Sequence, residues 1–239
     1  DDMGKGRPNK GTETQNQEYQ KQYVRIFSLN THRETKDAGL IKSQMLESEE
    51  YGRGIDIMCI QETGFGEADK ASVSAALGRG WKAHHSIGPE KKWGVMTIFG
   101  GDCFKKPGVQ RGASAEGRWV HSVFPLMGQV ELHVLNIYAP VAPWENREAS
   151  ERWWKEIIDK VNDITRDGHE VILIGDFNCY KDHVTDKHTM ASTHNHMVVQ
   201  EFFHRIERET GLKDVFRKMH PTAAVVTCSK GKERETARR

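Results

Sequence analysis

Val171-Ile172-Leu173-Ile174-Gly175-Asp176-Phe177-Asn178 is the stretch whose reading decides the fold. The apolar run reads as a buried strand, and an acid, an aromatic and an amide stand at its end. On an extended backbone Asp176 and Asn178 are two apart and point to one side. A carboxylate beside an amide can orient a water, bind a hydrated cation or hold a phosphate oxygen. Alone, Asp-x-Asn after a strand reads equally well as a turn cap.

Outward from this strand, the chain alternates apolar runs with amphipathic segments. Strands are expected over Tyr23–Asn30, Ile55–Ile60, Trp81–Ser86, Gly94–Phe99, Arg118–Phe124, Val130–Tyr138 and Ala224–Cys228. Helices are expected near Asp37–Tyr51, Asp69–Leu77, Arg147–Arg166 and Thr193–Thr210. Arg111 to Arg118 reads as a Gly- and Ala-rich loop facing a substrate. Two groups of strands interleaved with helices imply an α/β sandwich of two packed mixed sheets flanked by helices, in four layers. Residues 1–22 are polar and Gly-rich, a composition that cannot bury enough surface to offset ordering entropy, so a tail or linker is expected there. Residues 23–239 form the single expected domain.

The composition narrows the function classes. Lys plus Arg number 35 against 34 for Asp plus Glu, a formal net charge of +1, so no broad electrostatic coat for nucleic acid is expected, though a local basic groove is allowed. No stretch approaches the ~18 apolar residues of a membrane span. The 4 cysteines are dispersed without a CxxC pair, as expected of reduced thiols in an intracellular protein. His183, His188, His194 and His196, with Cys179 nearby, are irregularly spaced and read as a solvated loop rather than a zinc site. The chain opens on Asp-Asp without an initiator Met, as expected of a processed product or a fragment.

Three further strand ends carry polar groups: Asn30, Glu62 in Ile60-Gln61-Glu62-Thr63, and Tyr138 in Asn136-Ile137-Tyr138-Ala139-Pro140. Each alone has a bland reading, as a cap, a loop acid or an edge aromatic. With Trp93-Gly94-Val95 and Gly175-Asp176-Phe177-Asn178 in that order, the chain resembles the endonuclease/exonuclease/phosphatase superfamily. Leu212-Lys213-Asp214-Val215-Phe216-Arg217, followed by His220-Pro221 and Val226-Thr227, is similar to its apurinic-endonuclease branch. That branch holds exonuclease III-like repair enzymes and the endonuclease domains of LINE-type retrotransposons. The resemblance covers about Tyr23 to Thr227.

The resemblance implies metal-dependent DNA phosphodiester hydrolysis, with strand nicking by a retroelement polyprotein as the first expectation and a repair nuclease as the alternative. Glu62 would bind Mg²⁺ or Mn²⁺, with Asn30 holding the metal shell or phosphate. Asp176 would activate the attacking water, Asn178 would bind a phosphate oxygen, and Tyr138 would donate to that phosphate. Thr227 would touch DNA. A reverse transcriptase in the same polyprotein and a nuclear location are implied for a eukaryotic retroelement product.

Two departures from the family pattern matter. His32 stands where relatives have an acidic or small residue. No Ser-Asp-His occurs anywhere in the chain. The family's last strands are therefore expected to be absent and this chain to be severely impaired as a nuclease. A catalytically inactive nucleic-acid-binding or scaffold domain is the reading of another class.

Overall fold

Strand Glu170–Asp176, the one that ends in the decisive acid, pairs in parallel with Glu131–Tyr138, so that Asp176 stands beside Tyr138 in register. The computed structural model describes residues 23–32, 55–100, 104, 108–126, 130–182 and 194–223. The expected tail over 1–22, the helix over 37–51, the strand over 224–228, Thr227, His183 and His188 lie outside the described residues.

The strands are β1 (Ile26–Asn30), β2 (Ile57–Gln61), β3 (Trp81–Ser86), β4 (Val95–Gly100), β5 (Val109–Ala113), β6 (Trp119–Pro125), β7 (Glu131–Tyr138) and β8 (Glu170–Asp176). The helices are α1 (Lys70–Leu77), α2 (Arg147–Arg166), α3 (His194–Thr210) and α4 (Val215–Met219). Among the described residues the strands form two four-stranded sheets, ordered β1-β2-β4-β3 and β5-β6-β7-β8. In each sheet one pair is parallel, β1 with β2 and β7 with β8, and the other pairs are antiparallel.

Three cores explain why these strands lack polar alternation. Ile57, Cys59, Phe99, Phe124, Leu132 and Val134 fill the space between the sheets. On the outer face of the first sheet, Met58, Ile60, Met96 and Ile98 pack under Val73 and Leu77 of α1. On the outer face of the second, Leu135 and Ile137 meet Trp153, Trp154, Ile157 and Val161 of α2 and Phe202 of α3. A strand covered on both faces reads as a near-continuous apolar run, and β2 is buried throughout, apolar up to the hydrogen-bonded Gln61 at its end. The expected four-layered sandwich is the observed one.

Helix α2 has the bounds its sequence implies. Asn146 caps it, its Oδ1 accepting from Ala149 N at 3.2 Å, and the turn Asp167-Gly168 ends it with Gly168 at φ 83°. Arg147–Glu151 and Lys155–Asp159 pairs lie along its exposed face. Strand β5 is a correction. Part of the expected Arg111–Arg118 loop is an edge strand, paired with β6 across a register shift between Gln110 and Gly112. Its residues are mostly exposed, so it carries no hydrophobic period to read.

A buried amide pair ties the two sheets together. Asn136 of β7 is fully buried; its Oδ1 accepts from Gln61 Nε2 at 2.7 Å and its Nδ2 donates to Met96 O at 3.0 Å. Replacing Asn136 with Leu leaves the β4 carbonyl and the Gln61 amide short of partners. Urea denaturation should show a loss of about 2–3 kcal/mol, and an unchanged midpoint would speak against this role.

Histidines His84 and His85 of β3 give the fold an acid limit. Burial lowers both to about 4 from the usual value near 6.5. The folded protein therefore prefers them neutral, whereas the unfolded chain takes up protons below about pH 6.5. Their stabilising contribution is complete above that value and is lost as pH falls towards 4. After discounting for partial exposure, the loss should be on the order of a few kcal/mol. Denaturation midpoints between pH 7.5 and 5 test this, and a flat profile would contradict it.

Candidate active site

The parallel pairing sets where the polar strand ends fall. Asn30 and Gln61 are in register at the ends of β1 and β2, as are Tyr138 and Asp176 at the ends of β7 and β8. Because the sheets pack face to face, these ends share one edge of the sandwich. Asn30 Nδ2 donates to Glu62 Oε1 at 2.9 Å and to Asp176 Oδ2 at 2.6 Å. One amide thus holds carboxylates delivered by two different sheets.

Each acid is fixed by its own neighbours. Glu62 follows β2 with φ 56°, a backbone region that favours glycine or asparagine. Thr31 secures the turn, its Oγ1 donating to Gln61 O at 3.1 Å and Glu62 O at 3.0 Å. Asp176 Oδ1 accepts from Asn178 N at 3.0 Å, while Asn178 Nδ2 donates to Ala139 O at 2.9 Å. Asn178 itself has φ 46°, beyond the end of β8. Strand alternation therefore does not set the two side chains together, as the sequence reading supposed; a tight turn after Asp176 does. Backbone strain of this kind gathers where a site dictates side-chain direction.

Tyr138 is almost fully buried, with the Glu62 and Asp176 carboxylates as its charged neighbours. Burial raises its pKa, and the adjacent Glu62 and Asp176 carboxylates raise it further, against the opposing pull of Arg118. The phenol therefore stays protonated and remains a donor across the working pH range.

Arg118 is the site residue that sequence reasoning missed. It is buried, its guanidinium lies 4.1 Å from the Trp93 ring centre and 5.5 Å from that of Tyr138, and its Nη1 donates to the carbonyls of Tyr138 and Ala139, both at 3.3 Å. It holds a positive charge behind Tyr138 and fixes the chain after β7. The only sequence signal was an arginine placed directly before an apolar strand, which reads as a loop charge. Trp93 (φ 59°) and Gly94 (φ 82°) bring this platform to the loop after β2, where Thr63 N donates to Gly94 O at 3.2 Å.

His32, whose side chain is exposed, sits at the mouth of the site. Its backbone N donates to Asn30 Oδ1 at 2.8 Å and its Nδ1 is 3.8 Å from Glu62 Oε1. Asn30 thus offers its amide nitrogen to the acids and its oxygen to His32. Glu62 and Asp176 together present carboxylate oxygens, the donor chemistry that a hard divalent ion takes. Cys179 is a partly buried thiol packed against the α2 core, with its pKa raised by desolvation, which suits a structural cysteine rather than a ligand. His220 stands at the end of α4 against the Phe216 ring at 5.2 Å. Asn30, Glu62, Tyr138, Asp176 and Asn178 all come to one edge.

The model of the Endonuclease/Exonuclease/phosphatase family matches residues 28–223. Among solved structures, the AP endonuclease LMAP from Leishmania major superposes with a TM-score of 0.67 at 17% identity, covering 88% of this chain and 73% of that one. The APE2 catalytic domain of Xenopus laevis superposes with a TM-score of 0.62 at 17% identity, covering 89% and 77%. At this identity the two structures establish a shared fold. A comparison with curated protein sequences finds no match. Among the described residues, no helix is long and apolar enough to cross a membrane.

Proposed function

The chain belongs to the endonuclease/exonuclease/phosphatase family, and from that premise we propose that it is a divalent-metal-dependent nuclease that nicks DNA by phosphodiester hydrolysis. The observation that carries this reading is the single amide of Asn30 holding Glu62 and Asp176 from opposite sheets, with the buried Tyr138 beside the two carboxylates. Hydrolysis of a phosphodiester needs an oriented water, a proton acceptor, and donors for the oxygens on which charge develops.

Asp176 is the acceptor: Asn30 and Asn178 N hold its two oxygens, so the carboxylate is aimed before substrate arrives. Tyr138, kept neutral, donates its proton in a hydrogen bond to a phosphate oxygen. Asn178 uses one amide hydrogen on Ala139 O and has the other for the same phosphate. Arg118 supports Tyr138 from behind. Glu62 would hold Mg²⁺ or Mn²⁺, with Asn30 fixing its carboxylate, and the bound ion supplies Lewis-acid stabilisation of the developing charge. Thr227 is proposed as a DNA contact on resemblance alone.

Replacing Tyr138 with Phe removes one charge-assisted donor and should lower the nicking rate about 10- to 100-fold with little change in Tm. The raised phenol pKa adds that Tyr138 ionisation causes no loss of rate between pH 8 and about 10. A Phe variant as fast as the parent would remove Tyr138 from the mechanism.

The resemblance of Leu212 to Arg217 favours the apurinic-endonuclease branch, within which the first reading is a retroelement endonuclease acting in the nucleus beside a reverse transcriptase of the same polyprotein. The names of the two solved neighbours favour an abasic-site repair nuclease instead. An inactive DNA-binding module is the reading of another class. Supercoiled plasmid and an abasic duplex, each with Mg²⁺ and then with EDTA, separate the three. Metal-dependent nicking of intact plasmid supports the first, cleavage confined to the abasic duplex the second, and binding without cleavage the third.

A further inference from the structure

A second cluster of ligand-type side chains lies at the other end of β7, on the helix-facing side of its sheet. Glu131 opens β7, and His133, two residues on, faces the same way. His169 stands immediately before β8, whose Glu170 pairs with Leu132. One donor atom from each of Glu131, His133 and His169 lies within 4.8 Å of the others. His133 Nε2 is 3.5 Å from Glu131 Oε2, and the His133 and His169 rings stack at 4.7 Å.

The nitrogens of His133 are used unequally. Nδ1 is 3.1 Å from His121 Nε2, which orients the ring from the neighbouring strand. Nε2 has no hydrogen-bond partner, although the residue is only 7% exposed. A buried, unpaired nitrogen facing a carboxylate and a second imidazole is an arrangement that a cation completes.

We propose that Glu131, His133 and His169 bind a divalent transition-metal ion of the zinc class, at a site separate from the catalytic edge. Two imidazoles and one carboxylate suit zinc better than magnesium, which prefers oxygen donors and keeps its waters. Donors at zinc bond lengths around a tetrahedral ion stand about 3.4 Å apart, close to the His133–Glu131 separation. Partly exposed Glu131 and His169 supply the remaining adjustment and leave the fourth position to water. Arg111 and Lys160 also face His121, so Glu131 is the group that offsets the charge of the ion. The five residues from His133 to Tyr138 span roughly 17 Å of strand, which keeps this ion out of the hydrolytic chemistry. It would instead clip the start of β7 to the turn after α2, stabilising the folded state by binding it selectively.

Calorimetric titration of the metal-stripped full chain with Zn²⁺, and visible spectroscopy with Co²⁺, test the proposal. Tetrahedral Co²⁺ bands and a Zn²⁺-dependent rise in Tm are expected. His169→Ala, a change at a partly exposed position, should weaken Zn²⁺ binding more than about 100-fold and abolish the bands. Glu131→Gln should weaken binding in the same direction, and Glu62→Gln should leave the bands intact. Parental Zn²⁺ affinity in both His169→Ala and Glu131→Gln, or Co²⁺ that stays octahedral as in water, would overturn the proposal.

Discussion

Replacing Asp176 with Ala should lower DNA nicking by about 10²–10⁴-fold, the usual worth of a positioned acid–base group, while the protein stays folded. Asp176 is the only acid of the pair whose two oxygens are both held by protein donors, Asn30 Nδ2 and Asn178 N. Holding both oxygens fixes the direction of the carboxylate, and direction is what a general base contributes beyond its basicity. The variant keeps the Asn30–Glu62 contact and the β7–β8 ladder, and the freed Asn178 N–H lies near solvent. Stability should therefore change by no more than about 1 kcal/mol. Plasmid nicking read beside a thermal melt makes the test. A variant that nicks like the parent would show that another group activates the water, and one that unfolds would show that Asp176 is structural.

Replacing Gly175 with Ala should be the most destabilising small change near the site. Gly175 has φ 137°, and a Cβ there would stand 2.1 Å from Ile137 O on the neighbouring strand. The conformational penalty alone is about 1–3 kcal/mol. The contact is with backbone, so no rotamer change relieves it, and β7 and β8 must separate. A total above about 4 kcal/mol is expected. The same separation moves Asp176 away from Tyr138, its register partner, so nicking should fall with stability. Urea denaturation with a parallel nicking assay checks both, and an alanine variant with parental stability would mean that the two strands can part without cost.

Gly175 also shows how much of the site was legible. The sequence marked the tetrapeptide through its place behind an apolar run, and the strand, the acid and the turn all stand there. It also located Asn30, Glu62 and Tyr138, because each stands at or just past the end of a largely apolar strand, where the change to polar residues is visible. Strand β5 was not legible, since an exposed edge strand has no hydrophobic face. Arg118 was not legible either. A buried arginine differs from a loop arginine only in what surrounds it, here the Trp93 ring and two backbone carbonyls.

Local pattern therefore determined the elements, their order and the polar residue that ends each strand. Strand and helix periodicities are properties of a few consecutive residues, and a chain carries them without knowing its partners. Only the tertiary structure decided that these ends meet. The Asn30–Asp176 hydrogen bond joins residues 146 positions apart, and it exists because β1–β2 and β7–β8 are parallel pairs in sheets packed face to face. The same packing set Arg118 behind Tyr138 and gathered Glu131, His133 and His169 at the far end of β7. No spacing in the sequence encodes these contacts, because each depends on which surfaces the sandwich buries against one another.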